Sequence, residues 1–499
     1  MDRLKTIKFW WITVCLVLLF SVAPVFGIGL YSHSSADDYS YGTQTRAVWV
    51  DTHNVIEVLK EAGRKVRTIY LEWQGSYAAV ALFALQPAVF GEQFYPLTTF
   101  IILGLFLFSV FYFFRKVVKR VFHGDGRIAD LVSGVALLLS IQMLPSPVEG
   151  FFWWNGASYY VIFYSLMLIQ LANLSAIIWE DKCNLKQLTG LLALAVFISG
   201  GNYISALLTA ELTAFLLIYA LYKRKKVSRK AALVMLVTIV LFLVNCLAPG
   251  NAVRQSSFEA WPPVRAVLYS FHEAYHYMVE WTSPLVIAGM LFLFPFLCRI
   301  PVKSKLRDIW SLGAVLGLEF SVFASSFTPT LYAYGGAGAG RIQNIRYFLW
   351  ILICIAGEFT VICTVRGIAG SCENENQITA YLKNTYLKDM YSKYAVSYFI
   401  MVVLMAAFFA GNSILADDTQ DMVCVSAAKS LLSGEARQYD REAKARLKKL
   451  LGEESVVVLE PYSSVPEVLR SQDITKDSTD WVNTAAARFY RKEEVRVGE

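Results

Sequence analysis

The chain has 499 residues, of which 56% are hydrophobic and only 17% are charged. Its mean hydropathy of +0.46 excludes an ordinary soluble globular domain and predicts an integral membrane protein. The formal net charge of +7 is concentrated beside apolar runs, so it indicates membrane topology and not nucleic-acid binding.

Long apolar runs predict an all-α polytopic protein. Runs of about 17–22 residues suit helices that cross the bilayer and lack the alternation of a transmembrane barrel. We interpret the first run as a retained span and not as a cleaved signal peptide, because it is long and no clean cleavage site follows. About eleven spans are predicted, at 9–30, 96–114, 128–145, 158–179, 188–203, 205–222, 231–248, 284–298, 309–327, 347–365 and 395–411.

Basic residues divide the connecting loops into two sets. Loops such as "RKVVKRVFHGDGR" and "YKRKKVSRK" together hold about two dozen Lys and Arg, and this excess predicts a cytoplasmic location. The other set holds only about nine, which predicts that it lies outside. An odd number of spans then places the N-terminus in the cytoplasm and the C-terminal tail outside. The outer loops are 31–95, 146–157, 249–283 and 328–346.

The predicted transmembrane domain, 1–411, contains a large first outer loop at 31–95. In this loop "DTHNVIEVLKEAGRKV" predicts an amphipathic helix with Asp51 or Thr52 as its cap. The apolar "SYAAVALFALQPAVFGE" is too short to cross, which predicts a helix along the membrane surface or re-entering it. In the tail, 412–499, a charged helix, a strand-like "SVVVLEP" and "WVNTAAARFYRKEEV" predict a small α/β extracytoplasmic domain.

An acidic pair, Asp37 and Asp38, follows the first span directly. A carboxylate at the boundary between water and bilayer can act as a general base on a hydroxyl acceptor. Two adjacent carboxylates repel each other, so one is expected to face inward while the other caps a backbone or pairs with a cation. The alternative is that "SADD" is a solvated turn or a helix N-cap.

Three arginines stand out because the predicted outer loops are poor in basic residues: Arg254, Arg341 and Arg346. The planar guanidinium can hold phosphate oxygens through two hydrogen bonds. The alternative is that each side chain anchors the protein at the membrane interface. The "GGAGAG" run at 335–340 lacks the Lys-Ser/Thr of a phosphate-binding loop, so we interpret it as a flexible loop over a site or as a point of close backbone approach.

The segment "HEAYH" contains His272, Glu273 and His276 with the spacing of a zinc-protease helix, and Glu280 could supply a third ligand. The motif arises readily by chance, so we assign His272 and His276 to lipid-phosphate contact and keep packing at the membrane interface and zinc as alternatives. None of the eight cysteines forms a CxxC motif. No metal site is therefore assigned.

The layout resembles the GT-C superfamily of polytopic glycosyltransferases, whose first span leads to a large outer loop with acidic residues near its start. The most specific piece of this resemblance is "ADDY" at 36–39. The segments "WWNGASYY" (153–160), "GGNYIS" (200–205), "LAPGNAVR" (247–254) and "WVNTAAARFY" (481–490) are similar to uncharacterised bacterial relatives of the O-antigen glucosyltransferases.

The resemblance implies a bacterial cell-membrane enzyme that moves a sugar from a polyprenyl-phosphate donor to a cell-surface glycan, with inversion. Asp37 or Asp38 would be the base, and Arg254, Arg341 or Arg346 would stabilise the leaving phosphate. No cofactor is certain, and a divalent cation stays open. The residues assigned to sugar or acceptor binding are Trp73, Glu149, Trp153, Trp154, Asn155, Tyr159, Asn202 and Asn251.

Two other functions stay open. A transporter or flippase for lipid-linked glycans would fit many spans, but the predicted spans are nearly free of charge, with Glu211 and Glu319 as the main exceptions. A non-catalytic protein that binds polysaccharide would show the same outer aromatic residues.

Overall fold

A computed structural model describes residues 3–301, 306, 308–369 and 422–498, and these residues are mostly helical. The first part contains α1 (Arg3–Gly29), α2 (Asp37–Thr52), α3 (Val55–Glu72), α4 (Tyr77–Ala84), α5 (Leu97–Lys116), α6 (Gly126–Gln142), α7 (Trp154–Ala157), α8 (Phe163–Glu180) and α9 (Leu185–Ser199). It continues with α10 (Tyr203–Tyr222), α11 (Ser228–Cys246), α12 (Pro249–Gln255), α13 (Pro263–Trp281), α14 (Pro284–Leu297), α15 (Ile309–Ser325), α16 (Thr328–Tyr334) and α17 (Gly340–Ala369). After the gap come α18 (Val423–Ser433), α19 (Glu435–Leu450), β1 (Val456–Leu459), α20 (Trp481–Tyr490) and β2 (Glu494–Val497).

The helices confirm a multi-pass membrane protein. Within the described ranges, 7 helical stretches are long and apolar enough to cross a bilayer, and the pair α13 and α14, bent by 82°, would make 8. The predicted spans at 128–145 and 188–203 correspond to the shorter helices α6 and α9. The predicted span at 395–411 lies outside the described residues. The qualifying stretches are Ile7–Gly29, Glu92–Val121, Trp154–Glu180, Tyr203–Tyr222, Ser228–Cys246, Ile309–Tyr334 and Gly340–Ile368.

The first outer loop contains the expected helices, but one predicted cap is wrong. Asp51 and Thr52 end α2 instead of starting α3, and the side chain of Asn54 accepts a hydrogen bond from the N–H of Ile56 to cap α3. The chain turns between the two helices at His53, whose backbone has the left-handed conformation. Helix α3 exposes apolar side chains such as Ile56 along one side, as a helix at a membrane surface would.

The apolar segment after α3 is buried in the protein. Helix α4 begins against the turn between α9 and α10, where the carbonyl of Gly200 accepts hydrogen bonds from the N–H groups of Ala78 and Ala79. Val80 and Ala84 are fully buried. These contacts explain the apolar composition of the segment as packing against neighbouring helices.

The C-terminal segment, residues 422–498, packs on the first helices of the chain. Strands β1 and β2 are parallel, with Val457 opposite Val495, and the connection between them includes α20. Helix α18 packs on α1, and α20 packs on α2. The guanidinium of Arg491 donates two hydrogen bonds of 2.6 and 2.8 Å to the carboxylate of Asp51 across this contact. The segment is therefore held against the helix that begins at Asp37.

Candidate active site

Asp38 is a buried anchor at the start of α2. Its side chain is completely buried, and Oδ2 accepts hydrogen bonds from the hydroxyl of Tyr95 at 2.5 Å and from the N–H of Ser35 at 3.2 Å. Its Oδ1 accepts a hydrogen bond of 3.3 Å from the N–H of Asn155. Burial raises the pKa of Asp38 to about 8, although these hydrogen bonds favour the charged form. Asp38 thus joins three segments of the chain and points away from solvent.

Asp37 faces a cavity of about 590 Å³. Within the described residues its carboxylate has no hydrogen-bond or salt-bridge partner. Burial raises the pKa of Asp37, while the positive charges of Arg341 and Arg254 oppose that shift. Ala36, just before it, has a φ of 51°, a strained conformation of the kind that clusters at functional sites. An unpaired carboxylate in a cavity is free to take a proton from a ligand.

Glu149 and Arg341 form the wall of the cavity that lies nearest the spans. The guanidinium of Arg341 donates a hydrogen bond of 2.7 Å to Oε1 of Glu149, and its backbone N–H donates one of 2.8 Å to Oε2. Glu149 therefore also caps the N-terminus of α17 with a negative charge. Gly340 permits this close approach, since a Cβ there would lie 2.9 Å from Oε2 of Glu149. Arg341 is held at the boundary of a span, with one side toward the cavity.

Trp153 lines the same cavity beside Arg341. The indole N–H donates a hydrogen bond of 3.1 Å to the carbonyl of Ser35, which fixes the ring next to the turn that carries Asp37. The guanidinium carbon of Arg341 lies 5.4 Å from the centre of the indole, within the range of a cation–π contact. The structure thus brings together four of the predicted site residues: Asp37, Glu149, Trp153 and Arg341.

Arg254 and Trp73 form a neighbouring pair outside the lining of this cavity. The Arg254 guanidinium donates a hydrogen bond of 2.6 Å to Oε1 of Gln74 and lies 5.6 Å from the centre of the Trp73 ring. Its charge still acts on Asp37, because Arg254 opposes the rise of the Asp37 pKa. Arg254 is therefore an electrostatic neighbour of the cavity.

Arg346 is completely buried and holds the glycine-rich loop. Its guanidinium donates to the carbonyls of Ser326 and Ala337 and to the side chains of Thr330 and Gln343. The five hydrogen bonds match the five N–H groups that a guanidinium has. Arg346 thus orders the loop that precedes Arg341, and its guanidinium has no N–H left for a phosphate.

The "HEAYH" residues lie on α13 with exposed imidazoles. His272 and His276 are 64% and 63% exposed, and each contacts a glutamate, Glu273 at 3.9 Å and Glu280 at 3.6 Å. Among the described residues, no group of three or more His, Cys, Asp or Glu is placed to hold a metal ion. Neither histidine lines the Asp37 cavity. This geometry gives no support to the zinc alternative.

The other predicted sugar-binding residues contact neighbouring segments of the protein. The Trp154 indole donates to the carbonyl of Leu82, and the hydroxyls of Tyr159 and Ser76 lie 2.8 Å apart. Asn155 is buried beside Asp38. These residues do not line the cavity.

Two further predicted residues, Asn202 and Asn251, join helix ends to neighbouring segments. Asn202 caps α10 and donates to the carbonyl of Tyr159. The side chain of Asn251 accepts from the N–H of Gly75 and donates to the carbonyl of Asn245. Both amides are therefore engaged in the fold and lie outside the cavity lining.

The C-terminal segment supplies the residues that sequence reasoning missed. They form the opposite wall of the cavity, and they are Arg470, Ser471, Gln472 and Trp481. Nothing in the local sequence marks 470–472 as a site, because these residues join the cavity only through the packing of distant segments. Trp481 is the first residue of "WVNTAAARFY", a segment that carries the resemblance but predicts no contact with Asp37.

The chain matches no family model, no curated protein and no solved structure at a significant level. The resemblance to GT-C glycosyltransferases accordingly stays a prediction. The functional argument depends on the geometry of the cavity.

Proposed function

We propose that the protein is a membrane glycosyltransferase that moves a sugar from a polyprenyl-phosphate donor to a cell-surface glycan or a related acceptor. The observation that carries this proposal is the carboxylate of Asp37, which has no partner among the described residues and lines a cavity of about 590 Å³ together with Arg341. A base for a hydroxyl and a cation for a phosphate are the two groups that this transfer needs. Between the two adjacent acids, the geometry favours Asp37 as the base and Asp38 as its support.

The proposed topology places this cavity on the outer face of a bacterial membrane. About eleven spans and the basic inner loops put residues 31–95 outside, and with them Asp37. The tail, 412–499, is proposed to be an extracytoplasmic α/β domain that follows a GT-C-like transmembrane domain, 1–411. The contact between α20 and α2 supports this placement, because it puts the C-terminal segment on the same side as α2. Nucleotide sugars are not available outside, so the donor must arrive on a lipid carrier.

The proposed reaction is a single displacement. Asp37 takes the proton of the acceptor hydroxyl while the hydroxyl oxygen forms a bond to the anomeric carbon. The bond between that carbon and the phosphate oxygen breaks, and the polyprenyl phosphate leaves with the electron pair. Arg341 stabilises the developing charge on the phosphate, and Arg254 adds positive potential. One displacement inverts the configuration of the sugar.

The alternative function is transport or binding of a lipid-linked glycan without transfer. A second cavity of about 410 Å³ lies between the spans, lined mainly by apolar side chains such as Phe113 and Leu168 together with Glu319. A cavity of this kind could hold a lipid tail in a transporter as well as in an enzyme. A measurement of turnover therefore separates the two functions.

The test uses the full chain, purified and reconstituted in vesicles with a set of polyprenyl-phosphate hexoses and bacterial cell-wall glycans. The wild type should release polyprenyl phosphate, and Asp37→Asn should lower the rate by about 10²–10⁴-fold because the base is lost. Glu57→Gln is the control, since Glu57 lies on the surface of the neighbouring helix α3, outside the cavity lining. Full activity of Asp37→Asn would overturn the proposal. Movement of the lipid across the bilayer without release would favour transport.

A further inference from the structure

The cavity that Asp37 lines has two walls, which come from different parts of the chain. Glu149 and Arg341 belong to the part of the chain that contains the spans, and Arg341 lies at the start of one span. Arg470 and Trp481 belong to the C-terminal segment, where no qualifying span occurs among the described residues. A ligand between the walls would therefore touch the membrane-side wall and the C-terminal wall at once.

The charge of Arg470 is uncompensated. Its side chain is exposed, and it has no hydrogen-bond or ion-pair partner in the part of the chain that the structure describes. Arg341, in contrast, is paired with Glu149 at 2.7 Å. Among the described residues, no acidic group competes for Arg470, so Arg470 can bind an anion from solution.

Trp481 gives the same wall an aromatic surface. The side chain is 47% exposed although it is large and apolar, and Asp480 just before it caps α20 through a hydrogen bond of 2.8 Å to the N–H of Val482. The cap defines the beginning of the helix, and Trp481 is its first residue. An exposed indole offers an apolar face on which a sugar ring can stack.

The C-terminal wall is held in place on both sides. The turn at Glu467–Leu469 packs on the turn at Val148–Phe152, which carries Glu149. Arg46 of α2 lies 4.7 Å from the ring centre of Phe489 in α20, and Arg491 binds Asp51. Arg470 and Trp481 are therefore positioned relative to Asp37 by packing that does not depend on a ligand.

We propose that the C-terminal wall binds the acceptor and that the acceptor is an anionic glycan. Arg470 binds its phosphate or carboxylate group, and Trp481 stacks on a sugar ring, so that a hydroxyl of the glycan meets Asp37. The donor approaches from the opposite side, because its lipid tail must stay in the bilayer near Arg341. This inference rests on the proposed transferase function, and it adds the chemical class of the acceptor.

The test is binding of fluorescent oligosaccharides to the purified full chain, measured by anisotropy without donor. The probes are an oligomer of glycerol phosphate, an oligogalacturonate and a neutral dextran of the same length. We expect the wild type to bind at least one anionic probe more tightly than dextran. Arg470→Gln should weaken that anionic binding about tenfold and leave dextran unchanged. Whichever anionic probe responds identifies phosphate or carboxylate as the group that Arg470 binds.

Two further variants complete the test. Arg488→Gln is the matched control, since Arg488 is an exposed arginine of α20 outside the cavity lining, and it should bind as the wild type does. Trp481→Leu should weaken all the probes that bind. Equal binding of the anionic probes by wild type and Arg470→Gln, or a preference of the wild type for dextran, overturns the inference. Since binding needs no turnover, a protein that binds through Arg470 and transfers no sugar would contradict the proposed function and not this binding site.

Discussion

The hydroxyl of Tyr95 donates a hydrogen bond of 2.5 Å to Oδ2 of Asp38 and accepts one of 3.1 Å from the N–H of Trp154. Tyr95 therefore connects the start of α2 to the start of α7 through a buried polar chain. The carboxylate of Asp38 also accepts hydrogen bonds from the backbone N–H groups of Ser35 and Asn155. The two adjacent acids therefore have different roles: Asp38 is enclosed and joins segments of the protein, whereas Asp37 lines the cavity.

Asp38→Ala should destabilise the protein strongly. The change leaves the Tyr95 hydroxyl and the N–H groups of Ser35 and Asn155 without their buried acceptor, at a cost of about 1–3 kcal/mol for an unsatisfied group. We expect a large drop in the melting temperature, measured by differential scanning fluorimetry, and a smaller drop for Asp38→Asn, which keeps an acceptor oxygen. Equal melting temperatures for Asp38→Ala and wild type would contradict the anchoring role.

The free energy of unfolding should depend on pH through the titration of Asp38. Its pKa is about 8 in the folded protein, against a usual value near 4 for an unfolded chain, so the folded state binds the proton more tightly. The stabilising contribution is therefore complete below about pH 4 and is lost as the pH rises through about 8. Asp38→Asn should give a flatter profile over this range. A parallel profile for the variant and the wild type would show that Asp38 does not titrate in this way.

The fall in the transfer rate at low pH should reflect protonation of the Asp37 carboxylate. Burial raises its pKa, so the fall in kcat/KM at low pH should begin above the usual range of an aspartate. Arg341→Gln removes a positive charge that opposes this rise and should move the acid limb to higher pH. Arg341→Lys keeps the charge and is the control. An acid limb that does not move in Arg341→Gln would indicate that a different group is the base.

Gly340→Ala should disturb the site, while Gly336→Ala in the same loop should not. A Cβ at Gly340 would lie 2.6 Å from Cβ of Ser146 and 2.9 Å from Oε2 of Glu149, whereas a Cβ at Gly336 would meet nothing within 4 Å. Overpacking of this kind costs about 1–3 kcal/mol and would displace Glu149 from Arg341. Transfer assays and melting temperatures of the two variants give the comparison. Similar results for both would show that the close approach at Gly340 is not required.

His33 should make the attachment of the C-terminal segment depend on pH. Its ring lies 3.4 Å from Glu92 and 3.2 Å from Asp440. Burial alone would lower the pKa of His33, but hydrogen bonds to Asp440 and Glu92 outweigh it and raise the pKa to about 9. Because the pKa of His33 in the folded protein exceeds the usual histidine value of 6.5, this stabilisation is fully present below pH 6.5 and is lost as the pH rises through 9.

The measurement is the melting temperature between pH 6 and 10 for wild type and His33→Gln. The wild type should lose more stability than His33→Gln over this range. His276→Gln changes an exposed histidine outside this cluster and serves as the control. Identical slopes for wild type and His33→Gln would contradict a charged His33 in the folded protein.

The sequence by itself determined the class of the protein and most of its helices, because an apolar run long enough for a span is a local property of composition. It also brought out Asp37, Asp38 and Arg341, since polar residues at the predicted outer face stand out against their surroundings. Only the tertiary structure showed that Asp37 lines the cavity while Asp38 is buried. It also showed that Arg346 binds the glycine-rich loop and that Arg470 lines the cavity. Each of these depends on contacts that form only when helices and loops pack together, which no local pattern encodes.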